Sequence, residues 1–178
     1  MSWEISIKHF KSYLQIERSL SQNSVQAYIR DVKKFANYAL KIELNELQIK
    51  RQHISGFLKE LTDANISSRS QARTISGVKA FYRFMIMEDY IKEDPTELID
   101  SPKVGFKLPD TLSLDEIDKI ISAVDLSNKQ GERNRAILET LYSCGLRVSE
   151  LVNLQLSNIN FKEGYLKVIG KGDKERLS

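Results

Sequence analysis

The chain has 178 residues, 41% of them hydrophobic and 29% charged, with a formal net charge of only +3. This composition excludes a disordered tail, its apolar runs are too short for a membrane-spanning helix, and its length admits one ordinary domain or two small ones. So small a net charge does not announce nucleic acid, and the placement of the cations has to decide that question.

The start, Met1-Ser2-Trp3-Glu4-Ile5-Ser6, lacks the basic region and long apolar core of a signal peptide, so a cytoplasmic location is expected. The lone Cys144 cannot form an internal disulfide and fits a reducing compartment, with a small buried side chain as its plainest role. His9, His53 and Cys144 have no ligand-like spacing, so no metal site and no cofactor are expected.

In chain order, Trp3, Ile7, Phe10 and Leu14 recur at helical steps and predict a first helix to about Glu17. Ser21 reads as an N-cap. After it, Val25, Tyr28, Ile29, Val32, Phe35, Ala36 and Ala39 form the apolar stripe of a second helix, with Arg30, Lys33, Lys34 and Asn37 opposite. Ser21, Asn23 and Ser24 at its start suit either capping or contact with phosphate oxygens. A looser segment over 41–50 leads to a third helix, about Arg51 to Thr62, that turns Ile54, Phe57, Leu58 and Leu61 inward. The fourth helix, about Ser68 to Asp89, packs Ala72, Ile75, Val78, Phe81, Tyr82 and Met85. Its outer side carries Arg69, Ser70, Arg73, Ser76, Lys79 and Arg83, and no carboxylate interrupts it before Glu88. Such a face is either simply solvated or built for a polyanion, and the missing acid favours the polyanion.

Asp94-Pro95 ends the helical run. The stretch 102–110, with two prolines and a glycine, reads as a linker between a domain over 1–101 and a second over 111–178. The second opens on a capping box, Ser113 with Glu116, ahead of Ile117, Ile120, Ile121 and Val124. A helix from Arg133 to Ser143 packs Ala136, Ile137, Leu138 and Leu141, and another runs from Arg147 to Leu154. The period then changes to strands: Ile159 with Phe161, a turn, Tyr165 to Ile169, and a further turn over 170–176 entering a third strand. The fold class is therefore mainly α with a small β-hairpin sheet at the C-terminus. That third strand is cut short, so the chain reads as a fragment.

The organising stretch is Thr140 to Leu154, where one helix ends at Ser143-Cys144-Gly145 and the next begins at once. Arg147 stands at the junction. A cation held there by Leu141, Leu146, Val148, Leu151 and Leu154 demands an anion, and a helix start favours one. Two readings stand: a phosphate or carboxylate site, or a structural pair with Glu150 three residues on.

C-G-L-R-V-S-E-L at 144–151, followed by V-I-G-K-G-D-K-E-R at 168–176, resembles the tyrosine recombinase, or phage integrase, family, with its nearest likeness among bacterial Xer-type recombinases that resolve chromosome dimers. S-L-S-Q-N-S-V-Q-A-Y-I-R-D-V at 19–32 and A-R-T-I-S-G-V-K-A-F-Y-R-F-M at 72–85 are similar to that family's SAM-like, four-helix core-binding domain. The resemblance implies site-specific cleavage and rejoining of double-stranded DNA through a 3′-phosphotyrosine, with neither metal nor ATP, by two plus two subunits in a tetramer. It makes Arg147 the first catalytic arginine, a bidentate donor to the non-bridging phosphate oxygens. It makes Lys171 the hairpin lysine that protonates the leaving 5′-oxygen, its proton loosened by Lys174 or Arg176. It also implies DNA contact by Ser21, Asn23, Ser24, Arg30, Lys33, Arg69, Ser70, Arg73, Ser76, Lys79, Arg83, Lys174 and Arg176. The family's later H-x-x-R signature and nucleophilic tyrosine have no match in the 178 residues, so this chain by itself is not expected to cut DNA. A non-catalytic DNA-binding protein and a helical protein-interaction module are the rival readings. Reversing Arg69 and Arg73 to glutamate is expected to abolish DNA binding without unfolding the chain.

Overall fold

The computed structural model describes residues 2–106, 108–170 and 174–178. The chain divides into two compact units, Met1–Lys107 and Leu108–Ser178.

The described residues of the first unit form α1 (Trp3–Ile16), α2 (Gln22–Lys41), α3 (Arg51–Asp63) and α4 (Ser68–Met87). Each helix turns its apolar stripe to one core. Phe10, Phe35, Phe81 and Tyr82 are fully buried at its centre. Phe35 meets Trp3 edge-on at 5.8 Å between ring centroids and Phe57 at 5.1 Å, while Phe10 meets Phe81 edge-on at 5.5 Å. Truncating one such ring typically costs about 3–5 kcal/mol. Burial also pushes the Tyr82 phenol up from its ordinary value, with Glu46 and Asp94 adding to the shift.

The segment after α2, expected to be loose, is instead pinned. The Trp3 indole donates to the Leu44 carbonyl at 3.1 Å, Ser6 Oγ donates to Glu46 Oε1 at 2.9 Å, and the Tyr82 hydroxyl donates to the Glu46 carbonyl at 3.2 Å. Its hydrophobicity was too sparse to betray this, because the ties are polar ones to distant helices.

Helices α2, α3 and α4 end in the same way. Glu43, Asn65 and Asp89 take left-handed φ of 56°, 55° and 57°. The next residue's N–H (Leu44, Ile66 or Tyr90) then returns to a carbonyl in the last turn (Ala39, Leu61 or Met85). This is the Schellman closure, which satisfies orphan carbonyls and turns an apolar side chain back onto the helix.

Helices α2 and α4 are in close contact at Gly77. A Cβ there would lie 2.7 Å from the Asp31 Cβ.

The described residues of the second unit form α5 (Leu114–Ser122), α6 (Gly131–Ser143), α7 (Val148–Val152), a 3-10 turn at Leu156–Asn158, and strands β1 (Ile159–Asn160), β2 (Tyr165–Ile169) and β3 (Glu175–Leu177). The strands form an antiparallel sheet in the order β1-β2-β3, with Ile159 opposite Leu166 and Val168 opposite Arg176. The capping box on α5 is formed: the Ser113 N–H donates to Glu116 Oε2 at 2.8 Å, and the Glu116 N–H to Ser113 Oγ at 3.3 Å. The core here is thin. Leu146 and Val168 are its buried apolar residues among those described. Ile117, Ile121, Ile137, Leu138 and Leu141 are only half-buried and Ala136 is exposed, short of the packing their periodicity implies. Periodicity reports which face is apolar, and does not report how much partner surface the unit supplies to cover it.

Gly77→Ala is expected to force α2 from α4 and to cost about 1–3 kcal/mol by overpacking, read as a lower midpoint in chemical denaturation.

Candidate nucleic-acid interface

Helices α2 and α4 begin alike. Ser21 Oγ accepts from the Ser24 N–H at 3.4 Å, and Ser67 Oγ accepts from the Ser70 N–H at 3.4 Å. Each pair of hydroxyls also bonds across, at 3.0 Å and 3.1 Å. So Ser21, Ser24 and Ser70 serve the caps; Ser21 and Ser70 are exposed and Ser24 half-buried, and Asn23 beside them is exposed. The cap role and a phosphate role remain compatible.

Arg30 and Lys33 on α2, and Arg69 and Arg83 on α4, are exposed, and none forms an ion pair among the described residues. Ser76 Oγ is tied back to the Ala72 carbonyl at 2.9 Å. Half-buried Lys79 reaches the Ile99 carbonyl at 2.5 Å and so secures the segment that leaves the bundle.

Arg73 departs from its neighbours. Its Nη1 and Nη2 donate to Asp31 Oδ2 and Oδ1 at 2.7 and 2.8 Å, and Thr74 Oγ1 adds a contact at 3.4 Å. The Asp31 side chain is 3% exposed and that of Arg73 46%. The α4 face is therefore acid-free along its own sequence and not in space, because α2 supplies the carboxylate. Burial pushes the Asp31 carboxyl up, while Arg73, Lys34, Arg30 and the Thr74 hydroxyl pull it back. Asp31 was not singled out from the sequence. The available signal was a lone acid on the flank of a basic helix, facing a helix with glycine at the contact. Reversing Arg73 would strand Asp31, and losing one partner of a buried pair costs on the order of 3–5 kcal/mol. Arg69 with Arg83 is thus the clean pair for a charge-reversal test.

In the second unit, α6 ends with the same Schellman closure. Gly145 takes φ of 54°, and the Leu146 N–H returns to the Leu141 carbonyl at 3.2 Å. Leu146 is buried, and the next residue, Arg147, is the N-cap of α7 with extended backbone. The short helix runs over 148–152, shorter than the expected 147–154.

The buried charge at this junction is Glu150 and not Arg147. The Glu150 side chain is 4% exposed, and that of Arg147 69%. Val148 is 68% exposed, so no apolar packing encloses the guanidinium. Desolvation therefore falls on Glu150 and not, as expected from the sequence, on Arg147. Its Oε2 accepts the Arg147 backbone N–H at 2.8 Å and Arg176 Nη2 at 2.9 Å, and its Oε1 accepts Arg147 Nη1 at 2.8 Å. Arg176 Nη2 also donates to the Gly145 carbonyl at 3.2 Å. The Arg147 backbone N–H, with the two guanidinium groups, holds the Glu150 carboxyl down to about 2. The pairing reading of Arg147 is met: it bonds Glu150, while most of its side chain stays exposed. Lys174 is exposed, and its carbonyl accepts the Gly170 N–H at 2.8 Å. Lys171 lies outside the described residues.

Among the described residues no group of three His, Cys, Asp or Glu is placed to hold a metal, and no helix is long and apolar enough to cross a membrane.

The chain belongs to the tyrosine recombinase, or phage integrase, family: residues 7–89 match "Phage integrase, N-terminal SAM-like domain" and residues 110–178 match "Phage integrase family". It is 43% identical over 175 residues to Tyrosine recombinase XerD of Staphylococcus aureus, and 40% identical over 175 residues to that of Staphylococcus haemolyticus. Each match covers 98% of this chain and 59% of the relative, so the chain spans about three fifths of the relatives' length. The fold is similar to a lambda integrase dimer bound to a COC′ core site, with a TM-score of 0.77, 20% identity, and coverage of 100% of this chain and 48% of that one. It is also similar to XerH bound to palindromic difH in a post-cleavage complex, with a TM-score of 0.71, 20% identity, and coverage of 96% and 52%.

Because its folded-state value lies below the ordinary 4.5, Glu150 stabilises the second unit above that pH and loses the contribution as pH falls toward about 2. Glu150→Gln is expected to lower the thermal midpoint at neutral pH, with the gap to the parent chain closing over that acid range in a calorimetric pH series.

Proposed function

We propose that this chain is the DNA-binding portion of a site-specific tyrosine recombinase that works in the cytoplasm. One observation carries the reading: Arg30, Lys33, Arg69 and Arg83 stand exposed on two packed helices without an ion pair among the described residues. An unpaired basic face of this kind is matched by a polyanion. Residues 1–101 act as the core-binding domain, 102–110 as the linker and 111–178 as part of the catalytic domain.

The chemistry is phosphoryl transfer. A tyrosine oxygen attacks the scissile phosphorus, the 5′-oxygen leaves, and the two steps reverse in the exchanged strands. Arg147 supplies donors to the non-bridging oxygens, where charge builds in the transition state. Glu150 fixes one edge of that guanidinium, so the donors toward solvent are set before the phosphate arrives. Lys171 protonates the leaving oxygen, and Lys174 contacts the backbone nearby. Arg176 acts through Glu150. The tyrosine and its partner subunits, two plus two on DNA, complete the reaction.

A gel shift on random-sequence duplex at rising salt is expected to show binding that weakens steeply with salt. Arg69→Glu with Arg83→Glu is expected to reduce the slope of log affinity against log salt by about two or more, since each phosphate contact contributes about 0.9. Salt-insensitive retention, or equal binding by the variant, would overturn the reading in favour of a protein-interaction module.

A further inference from the structure

A groove of about 990 Å³ runs along the first unit between α1 and α2, on the flank of α2 away from the Asp31–Arg73 contact with α4. Its floor is sealed by core residues, among them Trp3, Ile7 and Val25. Its walls carry Lys8 and Lys11 from α1 and Arg30, Lys33 and Lys34 from α2, against one carboxylate, Glu4. None of the five cations forms an ion pair among the described residues.

We propose that this groove holds a sugar-phosphate backbone of DNA, with Lys8 and Lys11 contacting the strand on the α1 side of α2. The inference rests on the DNA-binding reading above and extends it to a helix that the sequence left out. A helix lying in the major groove, about 12 Å wide, has a phosphate backbone on either side. Helix α2 has cations on both flanks: those of α4 on one, and Lys8 and Lys11 of α1 on the other. Its own Arg30 and Lys33 belong both to the groove wall and to the outward face. One ligand that touches the outward face of α2 therefore touches the groove as well, which favours the backbone of the same duplex over an acidic amphipathic peptide. Phosphates meet the basic walls, and the deoxyribose faces meet the apolar floor.

The test is Lys8→Gln with Lys11→Gln on the full chain, with circular dichroism to confirm the fold. The slope of log affinity against log salt should fall by about two, from two lost phosphate contacts of about 0.9 each. A hydroxyl-radical footprint should lose protection on one strand and keep it on the other. An unchanged slope and footprint, with the parent chain still binding DNA, would overturn the groove assignment and leave the α2–α4 reading standing. An unchanged slope together with binding of a Glu/Leu-rich helical peptide, lost in the lysine variant, would make the groove a protein-docking site and overturn the proposal. No binding of the parent chain at low salt would sink the underlying DNA reading and the groove with it.

Discussion

A carboxylate almost without solvent sits where α2 and α4 touch, and it governs how those two helices meet. Asp31 is tolerated there because Arg73 meets it with two hydrogen bonds and Thr74 adds a third. Gly77 is required because any side chain would strike it. A buried ion pair contributes little net stability compared with apolar packing, but a mismatched one is severely penalised. Its effect is therefore to fix register: α2 and α4 slide past each other only by stranding Asp31. The two helices that display the basic face are locked at one relative height by the same contact.

The second unit repeats the device at Glu150. There, too, the acid is buried, Arg147 is exposed and Arg176 half-buried, and two guanidinium groups converge on one carboxylate. In each unit the side chain that reads as functional in the sequence is outward-facing, while the residue that aims it is an acid hidden beneath. The acid costs desolvation, which its partners offset. What it secures is direction: each arginine is held to its acid by one or two hydrogen bonds.

The helices were legible in the sequence because their apolar stripes are strong, and most of the core from Trp3 through Met85 follows from them, Ile49 and Phe84 excepted. The capping residues Ser21 and Ser113 were legible for a local reason: an N-cap is written within four residues. What was not legible depends on distance along the chain. Asp31 and Arg73 are brought together only by folding, and an inventory of charges on α4 alone misses the acid from α2. The tie of Glu46 to Ser6 and Tyr82 was hidden in the same way. At Arg147 the reading named the right pair of residues and assigned the burial to the wrong member. Hydrophobic neighbours in sequence do not say which of two adjacent charges points inward. The half-buried stripe of α6 shows the converse error, where strong periodicity overstated how much surface the unit has to cover it.

The pinned segment between α2 and α3 has a mechanical consequence. Its backbone is tied to α1 by Trp3 and to α4 by Tyr82, while the side chain of Glu46 is held by Ser6. A stretch that would otherwise serve as a hinge is thereby joined to the rigid body. A bend there has to break those polar ties, so a force applied to α3 is passed to α1 and α4 and not absorbed between them.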